Sequence, residues 1–418
     1  MAAIDYRDLP QSELVKVIYG EYQDDQFVTE SAYYGMINKE HNFVGKQKEV
    51  AVRLSIGAGV GSNILPDASG HDISKAVISR KKLYARQELD NESIEATRDP
   101  MGTFASFLKE YDEVTKLAFA VNSERQLIAN DILGSGKLAV GSASTANVTG
   151  NGSVGTPFVV NLSAATNMFA LEVGYLINVN SETTKLKVSK IDPDNKTIEL
   201  VGASARLTTL VAAPEGLEAA DAIYMQNSKD SELEGLNGIL RATTGSYKGI
   251  DIGYRWQAHQ IDATASNTAR TKHINNLLTK MMTQLGSGKN KVPNLIMASP
   301  TQYYLYETSL ETAKQYSFNA ADKRFSAQVS YSGIEVLTSS GPIPMIVNRF
   351  VPEDTIMFVN TNQITWHDLH APKWLDRDGT ILGRRENADA YEARYGCYVD
   401  VLVNPFFQGI IFNLSTTA

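Results

Sequence analysis

RYGCYVDVLVNPFFQGIIFNLST, residues 394–416, is the stretch on which the reading of this chain turns. Val399, Val401 and Val403 alternate with Asp400 and Leu402, the period-two pattern of a strand covered mainly on one face. Asn404 and Pro405 then interrupt it, because proline carries no N–H for a ladder and bends the path. Residues 410–414 resume the apolar run. Two strands with so little charge fit the closing elements of a packed domain.

The rest of the composition agrees with a folded protein: of 418 residues, 43% are hydrophobic and 21% charged. That length predicts two or three packed units. No uninterrupted apolar run reaches the roughly 20 residues that span a bilayer. The opening MAAIDYRDLPQSELVKV lacks the basic start and apolar stretch of a signal peptide. Cys397 stands alone, so no internal disulfide forms and an intracellular folding site is expected. The formal charge is −8, without a block of lysine or arginine. A dedicated nucleic-acid reader draws affinity from clustered cations, which argues against that class. A wall that merely encloses nucleic acid stays open.

Residues 1–47 mix charge and tyrosine without a sustained period and read as an arm lying on something else, with a short helix near 12–19. In KEVAVRLSI (48–56), Val50, Val52, Leu54 and Ile56 alternate with Ala51, Arg53 and Ser55. Glycine and proline break the following GAGVGSNILPDASGHD (57–72), and AVISRKKLYARQEL (76–89) returns as a second extended stretch. Together they predict a long two-stranded loop with a basic patch at Arg80, Lys81 and Lys82. An isolated hairpin is marginal in water, so this one needs another domain or subunit.

Residues 99–136 switch to a helical period. Phe104, Phe107, Leu108, Tyr111, Val114, Ala118, Val121 and Ile128 recur at three- and four-residue steps. Asp99 and Pro100 suit the first turn, and Gly134 the end. From Lys137 to Gln226 the chain becomes rich in Ser, Thr, Gly and Asn, with short strand patterns and a turn at residues 192–195. This predicts an inserted small β-barrel or sandwich over 138–226. Beyond it, Ile274, Leu277, Leu278, Met281 and Leu285 form one helix face stopped by Gly286. VPNLIMASPTQYYLYETSL (292–310) reads as a buried strand, then Ser299 as N-cap and Pro300 as first helical residue. Strands at 333–337, 343–348 and 355–360 complete an α+β order without a regular βαβ repeat.

Four patterns invite chemistry, and each has a plainer structural reading. Gly134-Ser135-Gly136-Lys137 lacks the spacing, preceding strand and Ser/Thr of a phosphate loop, and fits a helix C-cap better. GAGVG (57–61) has no helix after it to receive a phosphate, which leaves a hairpin tip. His367, Asp368 and His370 in WHDLH lack the helix that would bring them onto one metal. Cys397 has no histidine beside it in sequence, and no serine carries a nucleophile-elbow signature. No catalytic, cofactor or metal residue is expected.

The order of elements resembles the major capsid proteins of tailed bacteriophages, with their Hong Kong 97-type shell fold. RKKLYARQELDNESIEATRDPMGTF (80–104) resembles that family's extended loop returning into its long spine helix. DAIYMQNSKDSELEGLNGIL (221–240) and SYKGIDIGY (246–254) resemble segments that follow a β-rich insertion. SGIEVLTSSGPIPMIVNRFVPEDTIMFVN (332–360) looks like axial-domain strands, and YVDVLVNPFFQGIIFNL (398–414) like the closing peripheral strands. The resemblance implies an N-terminal arm (1–47), extended loop (48–95), spine helix (96–137), inserted β-domain (138–226) and peripheral return (227–270). A mainly axial region (271–393) and closing peripheral strands (394–418) follow.

The same resemblance implies a non-enzymatic subunit whose hexamers and pentamers tile an icosahedral shell around double-stranded DNA, without sequence-specific binding. Expected partners are other copies of the chain, a separate scaffolding protein, a portal and a decoration protein, with no membrane. Assembly in the host bacterial cytoplasm and residence in the virion capsid are implied too. Arg53, Arg80, Lys81 and Lys82 become candidate intersubunit contacts. Lys75, Lys81 and Lys82 lie where some relatives crosslink, but nothing selects one, and no crosslink is expected. An encapsulin-like nanocompartment is the nearer alternative. A carbohydrate-active enzyme with a β-sandwich binding module is the distant one; it needs paired carboxylates, for which Glu172, Asp192 and Asp194 are available.

Overall fold

The computed structural model describes residues 32–417 apart from 42, 56–71, 92–102, 141–147, 164–167, 181, 213–220, 287–290, 314–333, 339–340, 377–380, 382 and 386–387. The helix expected near 12–19, the Asp99–Pro100 cap and the GAGVG tip lie outside the described residues.

The chain enters on α1 (Ala32–Met36) and β1 (Asn38–Glu40), then forms β2 (Gln47–Arg53), β3 (Ile73–Ser79) and β4 (Lys81–Asp90). The long helix is α2 (Thr103–Ala129). After it come β5 (Lys137–Val140), β6 (Val148–Thr149), β7 (Phe158–Asn161), β8 (Leu176–Val179), β9 (Leu186–Asp192), β10 (Thr197–Gly202), α3 (Ala205–Ala212) and β11 (Ala222–Met225). The return runs through α4 (Leu236–Arg241), β12 (Ser246–Tyr247), β13 (Ile250–Asp251) and β14 (His259–Asp262). The last third holds α5 (Arg270–Leu285), β15 (Leu295–Ala298), α6 (Pro300–Ala313), β16 (Ile334–Thr338), β17 (Gly341–Val347) and β18 (Ile356–Val359). It closes with β19 (Ile364–Asp368), β20 (Lys373–Trp374), β21 (Gly383–Arg384), β22 (Ala390–Val403) and β23 (Gly409–Phe412).

β22 organises the first sheet. β4 runs antiparallel along one edge of it from Ala390↔Asp90 to Val399↔Lys81, while β21, β20 and β19 pair in turn along the other edge and β1 joins β19 in parallel. Its alternating valines do what the pattern predicts: Val399, Val401 and Val403 are buried in the core with Phe119, Leu127 and Ile128 of α2. Gly396 on β22 lies opposite Tyr84 of β4, with the Leu83 backbone close beside it. A Cβ there would stand 2.3 Å from the Leu83 carbonyl oxygen. Gly396→Ala is therefore expected to destabilise the subunit by about 1–3 kcal/mol through overpacking, read as a lowered thermal midpoint. An unchanged midpoint would mean that the strands part without cost.

A second sheet, in the order β14-β23-β18-β15-β17-β16, carries α5 and α6. Ile274, Leu277, Leu278, Met281 and Leu285 are buried as the helical spacing predicts, and Ser299 Oγ accepts from Gln302 N at 3.2 Å to cap α6. The third sheet, β5-β11-β8-β9-β10-β7-β6, is antiparallel throughout and encloses its own core, including Phe158, Leu186 and Leu200.

Several boundaries differ from the sequence reading. The stretch 76–89 is not one strand: β3 pairs with β2, and after Arg80 the chain joins β22 as β4. The buried Leu83 and Leu89 on β4 account for this, since they need a core that a free hairpin lacks. The described part of the arm lies on its own subunit, with Tyr33 and Phe43 fully buried. The long helix stops at Ala129, before Gly134. Asn130 Oδ1 accepts from Gly136 N at 3.0 Å, and Asp131 Oδ1 from Ser135 N at 2.9 Å. These side chains offer the backbone an alternative to the next helical turn. Gly134 and Gly136, with φ of 66° and 76°, close the loop.

The apolar face of α2 also differs. Val114 is exposed, whereas Thr115 and the run from Ser123 to Ile128 are buried. The tail divides at Pro405: β22 stays in the first sheet and β23 crosses to the second. β14, expected in the peripheral return, follows β23 there. β19 to β21, expected with the axial strands, instead pair with β22, whose fourteen residues offer the longer ladder.

Candidate assembly surface

The β2–β3 hairpin has two unlike faces. Val50, Val52 and Leu54 are half-buried against the core, with Ala76 and Ile78 fully covered. Gln47, Glu49, Ala51 and Arg53, with Ile73, Lys75 and Ser79 across from them, stay exposed. On that outer face Lys75 pairs with Glu49 at 2.8 Å.

The hairpin root is fixed by buried charge. Ser79 N donates to Asp400 Oδ2 at 2.9 Å, and Lys248 Nζ reaches both Asp400 oxygens at 2.7 Å. The Lys248 and Asp400 side chains are 4% and 1% exposed, so neither charge has water to fall back on. Lys248 also pairs with Glu234, whose carboxyl burial pushes up against the pull of that ammonium. The Lys248 carbonyl accepts from Val77 N at 2.8 Å. At the start of β2, Lys48 Nζ donates to Glu40 at 2.8 Å and stands 3.2 Å from His367 Nδ1. Burial, helped by Lys48, holds His367 below its ordinary pKa.

Of the four candidate contact residues only Arg80 and Lys82 come together, at one cleft; Arg53 and Lys81 lie apart from it. Arg53 is exposed at the outer end of β2. Arg80 lies over the Phe43 ring at 5.4 Å, and Lys82 is exposed beside Tyr398. Lys81 turns the other way and donates to the Glu232 carbonyl, within its own subunit. Period-two alternation along β4 separates these neighbours. The sequence reading missed Lys46, Tyr398, Lys248 and Asp400. Asp400 had left one signal, a carboxylate inside an otherwise apolar strand.

Residues that invited chemistry are occupied otherwise. His367 and Asp368 point to opposite faces of β19: Asp368 holds His41 at 2.7 Å and Trp366 Nε1 at 2.9 Å, while half-buried His370 sits against the Ala371 carbonyl. No group of three or more metal-ligating side chains occurs among the described residues. Burial pushes the Cys397 thiol up to about 12, which quenches its thiolate. Glu172 pairs with Arg349, and Asp192 accepts from the Asp194 and Asn195 amides of its own turn. No helix among the described residues is long and apolar enough to cross a membrane.

Residues 221–396, from β11 through half of β22, match the family model described as SU10 major capsid protein. Among solved structures, the cyanophage A-1(L) capsid subunit aligns with a TM-score of 0.51 at 11% identity, over 96% of this chain and 98% of that one. The capsid of a native GTA particle aligns at 0.48 and 10% identity, over 96% of each chain. No curated protein matches. At such identities the structural likeness is one of fold, and that fold is the capsid-shell fold. The family match covers the segment that joins all three sheets, so over residues 221–396 the chain is similar to a phage major capsid protein.

Proposed function

We propose that the protein assembles as hexamers and pentamers into an icosahedral shell enclosing double-stranded DNA, without reading base sequence. The observation that carries this is the hairpin, locked at its root by the Lys248–Asp400 pair yet uncovered along the outer face from Gln47 to Arg53. A rigid root and an uncovered face suit a brace laid on a neighbouring copy, the support that a two-stranded element needs. Net charge of −8 suits a container wall better than a polyanion reader. A scaffolding protein, a portal and a decoration protein complete the proposed assembly, which takes place in the bacterial cytoplasm and needs no catalysis.

Expression with its phage partners, followed by electron microscopy and sedimentation, tests the reading. Closed shells are expected. Replacing residues 56–71 with a two-residue turn is expected to cut shell yield at least about tenfold while far-ultraviolet circular dichroism stays unchanged. Normal shells from the shortened chain would remove the brace; a strictly monomeric full chain would remove the shell.

A further inference from the structure

On the face of the first sheet turned away from α2, Lys46, Arg80, Lys82, Leu369 and Tyr398 wall a cleft of about 280 Å³ at the hairpin root. Three cations line it and no carboxylate does. Nearby basic side chains are already neutralised: Arg86 and Arg394 share Glu392 at 2.6 and 2.5 Å, and Arg385 pairs with Glu88. Lys46, Arg80 and Lys82 pair with no carboxylate among the described residues. The cleft is built as well as charged. Phe43 supports the Arg80 guanidinium from below, and Leu369 N donates to the Tyr398 carbonyl at 3.0 Å.

We infer that this cleft receives the carboxylate side chains of a neighbouring copy of the chain, which makes it an intersubunit socket beside the hairpin brace. The inference rests on the shell reading. Charge selects the occupant: each copy carries 47 acidic against 39 basic residues, so an arriving neighbour is rich in the complementary group. Size agrees, since 280 Å³ falls below the roughly 300–1,000 Å³ of sites for drug-sized ligands and suits one or two side chains. The Tyr398 ring already meets Tyr84 and His370 edge-on, at 6.2 and 5.7 Å between centroids. That leaves less of it for the base stacking by which single-stranded nucleic acid is held.

Shells assembled from equal amounts of isotope-labelled and unlabelled subunits, treated with a zero-length carbodiimide, test the socket. Mixed-isotope peptides joining Lys46 or Lys82 to an Asp or Glu are expected, and Lys46→Gln/Lys82→Gln shells should lack them. Lys46→Glu/Lys82→Glu should lower shell yield at least about tenfold, because carboxylates would then face carboxylates; circular dichroism checks that the subunit stays folded. Shells in which these lysines couple only within their own subunit, while other mixed-isotope couplings form, overturn the inference. So does a charge-reversed variant whose shells form normally but retain less nucleic acid, which assigns the cleft to the genome. Failure of the unmodified chain to form shells is read before any coupling; it removes the assembly reading, and the socket falls with it.

Discussion

Replacing Arg125 by alanine is expected to destabilise the subunit by about 3–5 kcal/mol, the cost of stranding one partner of a buried ion pair. Its guanidinium holds Glu232 at 2.8 Å, with the two side chains 2% and 3% exposed. The pair fastens α2 to the chain returning from the third sheet, and Asn130 Nδ2 reinforces it by donating to the Leu233 carbonyl at 2.7 Å. The same return segment offers the Glu232 carbonyl to Lys81, so the pair also steadies the start of β4. Removing both charges should cost less than removing one. Arg125→Met with Glu232→Leu fills the space without leaving a buried charge, and is expected to recover most of the loss. Urea midpoints of the unassembled subunit give the comparison, with Lys116→Ala on the exposed part of the helix as control. If Arg125→Ala moves the midpoint no further than that control, the pair is ornamental.

What the sequence disclosed was mostly local. The α5 face, the Ser299–Pro300 start of α6 and the valine alternation of β22 each depend on neighbours within a few residues. Period alone carried them. Lys81 and Lys82 were separable by the same rule, since adjacent strand residues face opposite sides. The buried charges were not legible, because their partners are remote: 107 residues separate Arg125 from Glu232, and 152 separate Lys248 from Asp400. Nothing at Glu232 marks it as buried until α2 is laid against it. β4 hid its partner for the same reason, since its pairing with β22 joins segments about three hundred residues apart. The helix end was misread because a glycine is a familiar stop, whereas the Asn130 and Asp131 side chains had already ended the helix.

Acid should weaken the seam that the closing segment crosses. His259 on β14 lies 3% exposed against the Pro405 turn, its Nε2 donating to the Phe406 carbonyl at 3.0 Å and its backbone N to the Gln408 carbonyl. Burial lowers its pKa to about 4, and the Lys280 ammonium adds to that effect. The folded subunit therefore holds the neutral ring, whereas an unfolded chain takes up a proton near pH 6.5. Because the unfolded state binds the extra proton, stability is full above about pH 6.5 and falls as the medium is acidified. The loss from this one residue reaches about 2 kcal/mol at pH 5 and roughly 3 kcal/mol at pH 4. His367, whose pKa is also lowered, adds a loss of the same sign. His259→Gln keeps a side-chain N–H donor and removes the titration. Urea midpoints at pH 7.5 and pH 5 should then fall further for the unmodified subunit than for His259→Gln. Equal falls would show that His259 is protonated without disturbing the crossing from β22 to β23.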